Sequence, residues 1–129
     1  MHKTYLSTAA LLGAAAVALG AFGAHALKKI VDADTVATFQ TGVQYQMYHA
    51  LALLATAILF EKFSNKWIKW AGSCFIIGII LFSGSLYLLT ALKATNEVGL
   101  KGAGIITPFG GLALIAGWLL LFWGIIKKN

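Results

Sequence analysis

Residues 39–54 read FQTGVQYQMYHALALL. Gln40, Gln44, Gln46 and His49 crowd into a short span, and from Ala50 to Phe60 the chain is almost wholly apolar. A polar cluster that runs straight into such a segment describes a helix that starts at a membrane surface and continues into hydrocarbon. Asp32 or Asp34 can cap its N-terminus, where a carboxylate accepts from free backbone N–H groups and complements the helix dipole. Val36, Phe39, Val43 and Met47 keep approximate helical spacing on one side, and Thr38, Thr41, Gln44 and Tyr45 lie towards the other. A helix from about 35 to 61 would be roughly 40 Å long, against a hydrocarbon core of roughly 30 Å. Its first turns, about 33–42, are therefore predicted to form an interfacial extension, with Gly42 available as a bend. The span proper is predicted at about 43–61.

Three further apolar runs flank this one. Residues 5–27, YLSTAALLGAAAVALGAFGAHAL, follow Lys3 and end in Ala24-His25-Ala26, which imitates a signal-peptide cleavage site. The run is longer than a typical signal-peptide core of roughly 7–15 residues, so it reads as a transmembrane helix. Its small residues, including Gly13, Ala16, Gly20, Gly23 and Ala24, would let another backbone approach closely, which predicts burial against partner helices. A third span is predicted at about 67–92, with Trp67 and Trp70 at its interfacial end and Ser83, Gly84 and Ser85 in its apolar middle. A fourth is predicted at about 108–126, capped by Thr107 with Pro108 as its first residue. Gly110, Gly117 and Gly124 recur there every seven residues, a packing stripe suited to a left-handed crossing.

Composition supports the same class. The chain has 129 residues, 60% of them hydrophobic and 11% charged. Soluble domains average about 45–50% and about 25%. A chain this short cannot bury so much apolar surface in its own interior. The predicted fold is all-α: a single domain, 1–129, of four transmembrane helices. The net charge of +6 comes from lysines placed at the ends of the apolar runs. That is the pattern of interfacial anchors, and without arginine it points away from nucleic acid. Lys3, Lys62, Lys66, Lys69, Lys127 and Lys128 would share one side, and Lys28, Lys29, Lys93 and Lys101 the other, which predicts both termini in the cytoplasm. The lone Cys74, inside a span, reads as a small apolar residue.

The candidate polar site is His25, Gln44, Tyr45, Gln46 and His49. Tyr45 and Gln46 precede His49 by four and three residues and share its helix face. If the start of the second helix stands above the hydrocarbon, His25 and His49 could lie at similar depth. Three roles fit these residue types. They can hydrogen-bond across helices and fix the packing. They can line a polar cavity for a proton, an ion or a lipid headgroup. Or the two histidines can ligate a haem between helices. The first is the favoured expectation, with no cofactor, no metal and no catalytic residues. His2 is expected to be solvated. The candidate packing residues are Gly20, Gly23, Ser83, Gly84, Gly110, Gly117 and Gly124. Asp32 and Asp34 read as caps rather than an acid pair, and no metalloprotease, nucleophile-elbow or phosphate-loop motif is present.

GAFGAHAL at 20–27, YQMYHALALL at 45–54, LFSGSLYLL at 81–89 and TPFGGLALIAGWLLL at 107–121 together resemble the YwdK/YgdD-type family of small bacterial membrane proteins. The family is catalogued as a domain of unknown function, and it includes a membrane-stabilising member that this chain also resembles. The resemblance implies a multi-pass protein of the bacterial cytoplasmic membrane and no established reaction. It also implies that Gly20, Gly23, His25, Phe39, Tyr45, Gln46, His49, Ser83, Gly84, Tyr87, Pro108, Gly110, Gly111 and Trp118 are recurring positions. The expected function is support of membrane integrity without catalysis, through membrane lipids, a second copy of the chain or other membrane proteins. The alternative is a small transporter or channel with the Gln/His cluster as its polar site.

Overall fold

The computed structural model describes residues 1–96 and 102–127. Four α-helices account for most of them: α1 (Lys3–Ala24), α2 (Ala33–Lys62), α3 (Lys66–Ala94) and α4 (Ala103–Ile126), with a short 3₁₀ turn at Leu27–Lys29. All four are long and apolar enough to cross a membrane. Phe109, Leu112, Ile115, Leu119 and Phe122 of α4, with Leu11 and Val17 of α1, are exposed. Exposed apolar area on this scale needs lipid to cover it.

The helices run up and down in chain order, α1 on α2, α2 on α3, and α3 on α4, the last pair sharing the most extensive interface. Local chemistry sets most of the ends. Asp32 caps α2, its Oδ1 accepting from Thr35 N at 2.9 Å, and Asn65 caps α3 by accepting from Trp67 N and Ile68 N. The α2–α3 connection is so short that the two must lie antiparallel. α2 is one uninterrupted helix of 30 residues, about 45 Å long, so the 33–42 extension is its first ten residues. Gly42 is not a bend point. It is buried where α2 crosses α3, and a Cβ there would come within 2.9 Å of the Tyr87 ring.

Two ends differ from expectation. α4 begins at Ala103, not Pro108, so Pro108 sits inside the helix and Thr107 does not cap it. Pro108 lacks the N–H that would bond the Gly104 carbonyl. Thr107 instead meets Ser85 of α3, with 2.5 Å between their hydroxyl oxygens. His2 is likewise not simply solvated. Its Nδ1 accepts from Tyr5 N, its ring stacks on Tyr5 at 3.8 Å, and its backbone N–H donates to Ala57 O of α2.

The α3–α4 seam is built from glycine. A Cβ at Gly110 would meet backbone atoms of Leu81 and Phe82, one at Gly117 the Phe75 ring, and one at Gly124 the Ile68 side chain. Each seven-residue step along α4 thus meets a seven-residue step back along α3, an antiparallel register that stays in phase. Gly78 of α3 completes the seam by receiving Leu114. On the other side, Gly23 lies against Phe39 and Gln40, and Gly20 against Val43. Gly84 differs: nothing lies within 4 Å of where its Cβ would be, so that position faces open space. α1 is less enclosed than its small residues suggest: only Tyr5, Ala9, Ala16 and Gly23 are buried, a single narrow seam.

Candidate functional site

Gln46 and His49 lie on the face of α2 that packs against the other three helices. Gln46 is 4% exposed. Its Nε2 donates to the Leu12 carbonyl of α1 at 2.8 Å, and its Oε1 accepts from the Tyr87 hydroxyl of α3 at 2.6 Å. One amide therefore ties three helices together. A turn earlier, Ser83 Oγ of α3 donates to the Gly42 carbonyl of α2 at 2.6 Å. The close approach at Gly42 permits this bond.

His49 links α2 to α4. Its Nδ1 lies 2.7 Å from the Tyr45 carbonyl, and its Nε2 lies 3.0 Å from the Trp118 indole nitrogen. A carbonyl only accepts and an indole N–H only donates. The ring must therefore carry its proton on Nδ1 and accept at Nε2. A doubly protonated ring would turn an N–H against the indole N–H and lose that bond. Both partners fit only the neutral imidazole. Phe75 of α3 closes the remaining side, its ring 5.7 Å from His49 and 5.3 Å from Trp118.

The five candidate residues do not form one cluster. Gln46 and His49 belong to the buried girdle. Tyr45 gives it a backbone carbonyl while its ring, on the half-exposed flank, packs on Phe82 at 4.8 Å. Gln44 is exposed. His25 lies apart: it ends α1, is exposed, and its Nδ1 lies 3.1 Å from its own helix's Ala21 carbonyl. Gln46 fixes the depth of the girdle at about Leu12 of α1, so His25 is about 20 Å away along that helix. Two imidazoles so far apart cannot share one iron, and the haem arrangement falls on geometry.

Sequence reasoning did not name Tyr87 and Trp118 as the partners of Gln46 and His49. The signal was present, since a tyrosine or tryptophan within a span has a polar tip that needs a partner. The remaining hydroxyls follow the expectation for serine and threonine in lipid. Thr56 and Thr90 bond carbonyls one turn back, at 2.7 and 2.9 Å. Among the described residues, no buried side-chain nitrogen or oxygen lacks a hydrogen-bond partner, and no group of three or more histidine, cysteine or acidic residues could hold a metal ion.

Known proteins place the chain. A family described as "Protein of unknown function (DUF423)" matches residues 19–111, which include the girdle residues of α2 and α3. A UPF0382 membrane protein of Haemophilus influenzae is 42% identical over 129 residues, covering 100% of this chain and 98% of the relative. The UPF0382 inner membrane protein YgdD of Escherichia coli K12 is 40% identical over 119 residues, 92% of this chain and 86% of its own length. The UPF0382 membrane protein YwdK of Bacillus subtilis is 40% identical over 126 residues, 97% of this chain and 98% of its own. No solved structure matches. Four membrane-length helices and near full-length likeness to these membrane proteins lead to one conclusion: the chain is a multi-pass membrane protein and belongs to the DUF423 family.

Proposed function

We propose that the protein supports the integrity of the bacterial cytoplasmic membrane without catalysing a reaction, with both termini on the cytoplasmic side. The observation that carries this reading is the closed state of the girdle. Gln46 and His49 use their side-chain donors and acceptors on Leu12, Tyr87, Tyr45 and Trp118. A transport pathway needs polar atoms free to exchange partners with a solute, whereas these hold helices together. The outer surface then becomes the working surface, and it is a broad apolar band edged with lysines. The name of the Escherichia coli relative, an inner membrane protein, supports the location. Lys3, Lys62, Lys66, Lys69 and Lys127 at the end that carries both termini support the orientation.

The test is a deletion strain measured for dye permeability and survival under membrane stress. Deletion is expected to raise both leakage and sensitivity, and the wild-type chain to restore the barrier. A His49→Phe chain that folds is expected to restore it too. Unchanged permeability on deletion would overturn the reading. So would a His49→Phe chain of wild-type stability that fails to complement, which would make the imidazole a working site.

A further inference from the structure

At the end of the bundle that carries both termini, a groove of about 580 Å³ runs beside α4 and against the start of α3. Its walls are apolar along Ala116, Leu119 and Leu120, and Trp67, Trp123 and Lys127 frame its mouth. From Lys127 to Ala116 the groove follows about three turns of helix, roughly 16 Å. That is close to the depth of one leaflet, half of a hydrocarbon core of roughly 30 Å.

The mouth is strongly basic. Lys127 Nζ lies 5.2 Å from the centre of the Trp67 ring, and Lys66 Nζ lies 5.0 Å from the same ring and 5.5 Å from Trp70. Two ammonium groups therefore converge on one indole. Lys62 and Lys69 are nearby in the chain. Among the described residues, the only carboxylate at this end is Glu61, and it lies 3.9 Å from the N-terminal ammonium. Two cations beside one indole at the mouth of an apolar groove make that spot attractive to an anion. A zwitterionic headgroup would bring a further ammonium into a lysine cluster, and a free phosphate would leave the apolar groove empty.

We infer that this groove is a binding site for an anionic phospholipid, one acyl chain lying along Ala116, Leu119 and Leu120 and the phosphodiester between Lys66 and Lys127. The inference deepens the proposed function and rests on it in taking the bilayer as what the protein acts on. It supplies a ligand class and an address: a lipid such as phosphatidylglycerol in the leaflet at the lysine-rich end. The tryptophans around the mouth provide the reporter.

The experiment reconstitutes the full chain in phosphatidylcholine vesicles that contain a small fraction of either brominated phosphatidylglycerol or brominated phosphatidylcholine, and reads tryptophan quenching. The brominated anionic lipid is expected to quench more strongly, and the preference to fall about fivefold for each of Lys66→Gln and Lys127→Gln. Lys62→Gln with Lys69→Gln is expected to keep most of it. The arginine variants Lys66→Arg and Lys127→Arg are expected to retain it, which separates lost charge from a lost fold. Equal quenching by the two lipids would overturn the site. So would a preference that survives Lys66→Gln with Lys127→Gln, an equal loss in the Lys62/Lys69 variant (diffuse surface charge), or full reversal by millimolar glycerol phosphate. A failed preference with barrier function still restored in cells removes the lipid site and leaves the proposed function. A sound preference with no deletion phenotype does the reverse.

Discussion

Gly110→Ala adds one methyl group at the point where α3 and α4 approach most closely. The new Cβ would lie 2.7 Å from both the Leu81 carbonyl carbon and the Phe82 Cα. Carbon atoms at contact sit about 3.5–4.0 Å apart, so the shortfall is about 0.8 Å or more. The obstructing atoms are backbone, so no rotamer change can relieve the overlap. The helices must move apart. Separation would loosen the neighbouring steps of the seam, Leu114 in the notch at Gly78 and Phe75 against Gly117, and stretch the Ser85–Thr107 hydrogen bond. Overpacking of this kind costs about 1–3 kcal/mol, and a rigid backbone obstacle belongs at the upper end. Alanine recovers up to about 1 kcal/mol of helix propensity, which leaves a net loss of about 2 kcal/mol. Gly84→Ala is the matched control. It is the same change in an adjacent helix, but nothing lies within 4 Å of its Cβ position. Its expected effect is between zero and about 1 kcal/mol of stabilisation. Reversible unfolding of the purified chain in mixed detergent micelles, followed by circular dichroism, gives both values. If the two variants agree within about 0.5 kcal/mol, the close approach at Gly110 does not hold the seam together and the reasoning is refuted.

The His49–Trp118 bond is expected to show in a double-mutant cycle of His49→Phe and Trp118→Phe. The coupling should be about 0.6 kcal/mol, the average for interhelical hydrogen bonds in membranes, and no more than about 1.7, and zero coupling would dissociate the two side chains. Outside the membrane, Thr35 hydrogen bonds, side chain first and then backbone, hold the Asp32 carboxyl below its ordinary value of 3.8, against the opposing effect of desolvation and with lesser help from the Lys93 charge. A depressed folded value means that the cap contributes fully above 3.8 and loses its contribution as pH falls through the lower, folded value. Thermal stability of the wild type should therefore decline over that acid window more steeply than that of Asp32→Asn. Parallel profiles would show that the cap does not titrate as described.

The membrane-spanning architecture was legible along the chain because crossing a bilayer is a local property. Each run of about 20 apolar residues partitions into hydrocarbon largely on its own account, and lysines mark where it emerges. The Asp32 cap and the seven-residue glycine repeat of α4 were legible for the same reason, since each depends on a few neighbouring positions. Pro108 misled because proline is common at the first helical position, and a rule of that kind cannot see that Thr107 is engaged across the seam by Ser85.

The candidate site was legible only in part. Sequence singled out Gln46 and His49 as polar side chains inside a span that must find partners, but it also grouped them with His25, about 20 Å distant along α1. It named Gly84 beside Gly110 as packing glycines, although one faces open space and the other a backbone. Residue type and spacing are the same in both cases; what differs is which helix lies opposite. The sequence alone determined that this protein crosses the membrane four times and must satisfy buried polar groups there, because the cost of transfer out of water is written residue by residue. Only the tertiary structure decided that the Leu12 carbonyl and Tyr87 satisfy Gln46 and that Trp118 satisfies His49, because a partner is chosen by the register between helices distant in the chain.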